Sequence, residues 1–257
     1  MAERADDRDG LRLDRLHVPL GPALGDWPAG LVVRLALQGD VVQQVDVQTA
    51  IPALPHPPFW DEPWLRVVAG ERVTHGDAAR RLCAAHLDSL GRYFAVVGWA
   101  DMAARARRVR DGALAGTDAA ELSALARPLI RRAERSRALR WLTTGLGPLS
   151  AEHAHHLGIT GPALVADGDA HSRLLVWLDA VGRSAAACDD TDVVDAAEAV
   201  GPRGRIDGPA PPSQPLLNAL PGLLEGTEFA CARIVVASLD PDLDQLAPAE
   251  VQGAAHG

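Results

Sequence analysis

Two proline-rich stretches set what this chain can fold into. Residues 51–64, IPALPHPPFWDEPW, carry five prolines, and residues 201–215, GPRGRIDGPAPPSQP, carry five prolines and three glycines. Proline has a fixed φ and no amide hydrogen, so neither stretch can sit inside regular structure. The first is expected to be a rigid connector pinned to the core by Phe59, Trp60 and Trp64, and the second a loop.

Before the first stretch, Leu31, Val33, Leu35 and Leu37 alternate with Val32, Arg34, Ala36 and Gln38, the period of a half-buried strand. Gly39-Asp40 then punctuates a second β-branched run to Val47, which reads as a β-hairpin. Between the two stretches the period is helical. Leu82, Cys83, His86, Leu87, Leu90, Tyr93, Phe94 and Val97 form one apolar face behind Asp77 as N-cap. Further helices are expected at 100–114, at 118–141 with a kink or break at Pro128, at 151–157, at 173–181 and at 190–200. After the second stretch a short helix at 216–224 is expected to precede a strand at 233–239. The fold class is α+β, a central helical bundle with small antiparallel β elements at the N- and C-terminal ends. Residues 11–247 read as a single domain, with flexible tails at 1–10 and 248–257.

All 25 basic side chains are arginine, against 34 carboxylates, for a formal charge of -9. An acidic balance argues against a nucleic-acid groove, which needs a basic surface. Cys83, Cys188 and Cys231 are too scattered for a CxxC pair, a disulfide framework or a multi-thiolate cluster. The charged start lacks the apolar segment of a signal peptide, and no apolar run approaches the ~20 residues needed to span a bilayer. The expectation is a soluble cytoplasmic chain.

The densest titratable cluster is Glu152, His153, His155 and His156. A zinc site could use His153 or His155 with His171 or Asp169. The spacing HxHH, however, is not the i, i+4 pair that aims two imidazoles at one ion, and it also fits a solvated histidine-rich helix. His86 on its apolar face reads as a packing or hydrogen-bonded residue. Arg105, Arg107, Arg108 and Arg110 could hold an anion or an acidic partner, or form a solvated face, as could Arg131 and Arg132 beside Glu134. No Walker A, GxGxxG or Gly-x-Ser-x-Gly pattern is present, and Ser150 and Ser184 lie in no nucleophile context.

Four groups of short motifs occur in order. They are Gly21-Pro22 and Pro28-Ala29-Gly30-Leu31 up to Gly39-Asp40-Val41-Val42, then His86-Leu87, Leu90-Gly91, Gly98 and Arg108-x-Arg110-Asp111. Next come Thr144-Gly145-Leu146-Gly147, Ser150-Ala151-Glu152-x-Ala154 and Leu157-Gly158-Ile159-Thr160-Gly161-Pro162, and last Gly201-Pro202-Arg203-Gly204 with Ser238-Leu239-Asp240-Pro241. In this order they resemble the catalytic-core subunit of respiratory complex I, the NADH-quinone oxidoreductase, and its relatives, the large subunits of nickel–iron hydrogenases. The resemblance covers residues 16–244. Helical material of that family is missing between Val47 and Asp77 and after Arg173, so the chain reads as a shortened member.

The departures fall on chemistry. A nickel–iron centre needs four thiolates, but here Asp242 follows Asp240-Pro241 and no early cysteine pair exists. The quinone-contacting histidine is absent from the turn Ala23-Leu24-Gly25-Asp26-Trp27, and the tyrosine segment is replaced by the proline-rich connector. The quinone aspartate falls on Val96, while Val165 and Arg205 stand at an arginine and a glutamate position. The resemblance therefore implies a ligand-depleted, non-catalytic subunit of a complex-I-like or membrane-bound-hydrogenase-like oxidoreductase. It implies no cofactor in this chain, an iron–sulfur cluster in a partner subunit, membrane subunits as further partners, and peripheral placement on the cytoplasmic face of the inner membrane. Partner-facing candidates are Trp60, Trp64, Trp99, Arg105, Arg108 and Arg110. Two alternatives stay open: a free-standing metal-dependent enzyme built on His153, His155 and His156 with Asp240, Asp242 and Asp244, and a subunit that still binds a quinone or another small redox carrier.

Overall fold

The computed structural model describes residues 4–6, 12–50 and 56–247. It opens on an antiparallel sheet ordered β1 (Arg4–Asp6), β2 (Arg12–Leu20), β3 (Leu31–Gln38) and β4 (Val41–Thr49). The hairpin expected at 31–47 is β3–β4, closed by Gly39 at φ 63° and registered by Leu35 opposite Val45. β2 lies outside the alternating run, and β1 falls inside the expected tail. The rest of the two tails, and residues 51–55 of the connector, lie outside the described residues. Leu31, Val33, Leu35 and Leu37 point to one face and are no more than 3% exposed.

The connector is more regular than its prolines suggest. A 3₁₀ turn at Phe59–Asp61 leads into α1 (Glu62–Val68), with Pro63 in the first turn, where a missing N–H costs nothing. α2 (His75–Val96) is capped by Thr74, whose hydroxyl accepts from the Asp77 N–H at 3.0 Å, so Asp77 sits in the first turn rather than at the cap. α2 packs with α3 (Ala100–Leu114), α4 (Ala119–Glu134) and α8 (Ala170–Ala186) around Leu87, Leu90, Met102, Leu129 and Trp177. Tyr93 meets Phe94 and Trp177 edge-on there.

Pro128 sits inside α4 without ending it; the break comes at Arg135, and Ser136 caps α5 (Arg137–Thr143). Short helices α6 (Ala151–His156) and α7 (Pro162–Ala166) precede α8. The helix expected at 190–200 does not form. There Asp190 and Asp195 accept hydrogen bonds from the N–H groups of Asp192 and Ala197, at 2.9 and 2.8 Å, which diverts the backbone from a helix into turns. The second proline-rich stretch holds a two-stranded hairpin, β5 (Val200–Gly201) and β6 (Gly204–Arg205).

α9 (Ser213–Leu224) and α10 (Phe229–Leu239) complete the chain, before a 3₁₀ turn at Leu243–Leu246. The strand expected at 233–239 is thus helical. Its run Ile234-Val235-Val236-Ala237 is buried all round between the sheet, α2, α8 and α9, and a short apolar run cannot by itself separate strand from buried helix. Leu216, Leu220, Leu224, Val235 and Val236 form the layer on which β3 and β4 rest. The architecture is α+β.

Candidate junction of the four motif groups

Three segments of the last two motif groups meet in one buried place. Pro202-Arg203-Gly204 forms the β5–β6 turn, Thr160-Gly161-Pro162 enters α7, and Asp240 caps α10 in the left-handed region at φ 43°. The two loops cross with almost no clearance. A Cβ on Gly161 would lie 2.8 Å from the backbone carbonyl of Arg203, and one on Gly204 would lie 2.0 Å from Thr160 Oγ1. Glycine is required at both, because each also has a positive φ, 68° and 142°.

The crossing aims Arg203 at the end of α10. Its Nε donates to the Asp240 carbonyl at 2.5 Å, and its Nη2 pairs with the Asp240 carboxylate. From α2, Arg92 reaches the same carboxylate at 3.0 Å while also bridging Asp88 at 3.1 Å, and Asp88 pairs in turn with Arg110 of α3. Asp240 is 1% exposed and Arg203 3%. Arg173 ties in the opening loop of the third motif group, donating from Nη2 to the Gly147 carbonyl at 3.0 Å and to Ser238 Oγ at 2.9 Å. Gly21–Val42 enters through the sheet layer beneath α10.

Burial alone would raise the pKa of Asp240, but Arg92 and Arg203 outweigh it and hold the carboxyl below its ordinary value. His86, buried on α2, is driven down to about 3 by burial and by the nearby Arg203, so it is a neutral imidazole. Asp61 behaves oppositely: burial pushes it up to about 6, although Gln245 Nε2 donates to its Oδ2 at 2.5 Å. Asp242 is also raised, chiefly by burial. Asp61 and Gln245 lie at a cavity of about 330 Å³ whose wall includes Pro58, Leu65, Ile206 and Pro211.

Chemically the junction is a lock. The Asp240 carboxylate is consumed by two guanidinium groups, and the residues there do not fit a nickel–iron centre. No thiolate is present: Cys83 and Cys188 lie in the helical bundle on the Val181 and Ser184 carbonyls, Cys231 is on α10, and burial pushes the Cys83 thiol up to about 12. Val96, the last residue of α2, offers no proton.

The other candidate residues are placed elsewhere. His153, His155 and His156 are exposed on α6, with His156 Nδ1 2.7 Å from the Glu152 carbonyl. Asp169 caps α8, and His171 lies 3.3 Å from Thr143 Oγ1. Among the described residues no group of three or more His, Cys, Asp or Glu side chains could hold a metal ion. Of the partner-facing candidates, Trp64 is 4% exposed in the chain's own core, which leaves it no surface to offer. Trp60 and Trp99 are half-buried against the bundle. Arg108 is exposed, Arg105 is half-buried, and Arg110 is engaged with Asp88 and Asp111. Sequence reasoning missed Asp61, Asp88, Arg92 and Gln245, which belong to no motif, and Trp141, which is 83% exposed.

No protein-family model matches the chain, and no curated protein matches its sequence. Among solved structures it is similar to a chain in the structure of the membrane-bound sulfane sulfur reductase, an archaeal respiratory membrane complex. The TM-score is 0.60 at 14% identity, over 90% of this chain and 98% of that one. No helix among the described residues is long and apolar enough to cross a membrane. At that identity the likeness speaks for the fold, and the fold of this chain is one that a respiratory membrane complex contains.

Proposed function

We propose that the chain is a structural subunit of a complex-I-like respiratory membrane assembly, of the NADH-quinone oxidoreductase catalytic-core or hydrogenase large-subunit type, and is not itself catalytic. The observation that carries this reading is the junction: motif segments that elsewhere present ligands converge, and their central carboxylate is closed by Arg92 and Arg203. The likeness to a chain of an archaeal respiratory membrane complex supports the assembly. In this reading an iron–sulfur subunit and membrane subunits are the partners, redox chemistry lies in those partners, and the chain sits peripherally at the membrane. Affinity purification from native membranes tests it. An iron–sulfur polypeptide and membrane polypeptides should co-purify in fixed ratio, whereas a chain that runs alone and never enriches with membranes defeats the reading.

The cavity at Asp61 favours a second reading, retention of a quinone or another small redox carrier. Its wall is largely apolar, and it holds an acid that burial pushes up to about 6, beside an amide. Redox titration of the purified assembly with wild-type chain and with Asp61→Asn separates the two readings: a changed carrier potential supports retention, an unchanged one the scaffold.

A further inference from the structure

α4 and α5 carry an unusual concentration of charge. Six arginines, Arg127, Arg131, Arg132, Arg135, Arg137 and Arg140, stand against two carboxylates, Glu121 and Glu134, over residues 119–143, in a chain whose formal charge is -9. Arg132 is engaged within the fold, 2.7 Å from Asp101 and stacked 5.3 Å over the Trp99 ring. The other five are exposed and have no ion pair among the described residues.

Helical spacing sets which side of each helix is basic. The buried side of α4 is Leu122, Ala126, Leu129 and Ala133, and Arg127, Arg131 and Arg135, four residues apart, lie opposite it. On α5 the buried side is Leu139 and Thr143, and Arg137 and Trp141 lie opposite that. Trp141 is 83% exposed, and the adjacent Leu142 is 38% exposed. Each helix thus turns its basic side away from the core, and the second adds a large apolar ring that the fold does not cover.

We propose that this face binds the anionic headgroup layer of a membrane, with Trp141 seated at the headgroup level and the five arginines spread over lipid phosphates. Arginine stems lie along an apolar surface while their heads stay in the polar layer, and tryptophan partitions to that same layer. Contact of this kind is interfacial and needs no spanning helix, and no helix among the described residues is long and apolar enough to cross a membrane. A fluid lipid surface conforms to side chains that radiate outward, whereas an acidic protein needs a matched shape. The proposal goes beyond the assembly reading and does not depend on it.

Sedimentation of the full chain with vesicles of phosphatidylcholine, with and without phosphatidylglycerol, tests it. Binding is expected only with phosphatidylglycerol, and is released as salt shortens the screening length. The triple variant Arg131→Gln, Arg135→Gln, Arg137→Gln should lower partitioning about a hundredfold, from roughly a fivefold loss per basic residue removed. Arg183→Gln, at an exposed ion pair on α8, should leave partitioning unchanged. Brominated lipid should quench part of the tryptophan emission, and Trp141→Phe should abolish that quenching. Equal binding to neutral vesicles, an unaffected triple variant, or quenching that survives Trp141→Phe overturns the proposal. So does capture by soluble polyglutamate without capture by phosphatidylglycerol vesicles, which assigns the face to an acidic protein. The measurement uses the chain alone, so its failure leaves the assembly reading standing.

Discussion

Replacing Asp240 by asparagine removes one negative charge and little else. Asparagine has nearly the same shape and tolerates the left-handed backbone that Asp240 adopts at φ 43°. What changes is the balance at the junction, where two guanidinium groups lose their shared partner. Arg92 keeps Asp88 at 3.1 Å and is 27% exposed, so the deficit falls mainly on Arg203, whose side chain is 3% exposed. Breaking a buried pair on one side costs about 3–5 kcal/mol, and retention of the Arg92–Asp88 pair puts this case near 3. For a domain of this size that is a fall in Tm of about 6–12 °C.

Thermal unfolding followed by circular dichroism measures it, with Asp179→Asn as the control. That variant breaks an ion pair between side chains 66% and 74% exposed, worth about 0–0.5 kcal/mol. The pH dependence supplies a second check. The folded pKa of Asp240 is depressed, so its contribution is complete above the unfolded value near ~3.9 and is lost as pH falls through the folded value. The gap between wild type and Asp240→Asn should therefore be flat above about pH 5 and narrow in acid. A Tm within about 2 °C of wild type at pH 7, a shift no larger than surface substitutions give, would falsify the view of Asp240 as a buried ionic lock.

Asp61 gives the opposite sign. Its folded pKa of about 6 lies above the unfolded value, so stability is lost as pH rises from about 4 to 6, and Asp61→Asn should be more stable than wild type at pH 8 by up to about 2–3 kcal/mol but not at pH 4. Urea unfolding at the two pH values reads the difference. Gly204→Ala forces a Cβ to 2.0 Å from Thr160 Oγ1 at φ 142° and should cost about 2–4 kcal/mol in denaturant melts, while Gly222→Ala, with open space around it, should cost far less. Trp64→Ala should lose about 3–5 kcal/mol because the side chain is buried among Val67, Val73 and Ala78, a loss that interface placement would not produce.

The hairpin and the long bundle helices were readable because their apolar period is unbroken over many residues. α3 runs from Ala100 to Leu114, as its sequence spacing predicts. The last helix was not readable, since Ile234 to Leu239 is enclosed on all sides and shows no period to separate helix from strand. At the site, the glycines and prolines of the motif groups marked the loops that do converge. Their partners did not stand out, because Arg92 and Asp88 look like ordinary helix-surface charges until α10 is laid across them, and Asp61 and Gln245 are 184 residues apart. The six arginines of α4 and α5 were partly visible as a charged face, but nothing in the sequence showed that Trp141 is left uncovered.

The lock at Asp240 also dictates when the fold can close. Asp240 joins Arg92, 148 residues earlier, to Arg203, 37 residues earlier, while Arg233 reaches back 208 residues to the Gly25 carbonyl. During synthesis the sheet and the first bundle helices emerge well before the residues that join them. Until α10 and the turn after it leave the ribosome, Arg203 lacks its carboxylate and the inner face of β3 lacks the part of its cover that Val235 and Val236 supply. Native structure thus arrives late and cooperatively, through contacts of long sequence separation that make folding slow. In that interval the exposed Leu31, Val33 and Leu35 face is what a chaperone would meet.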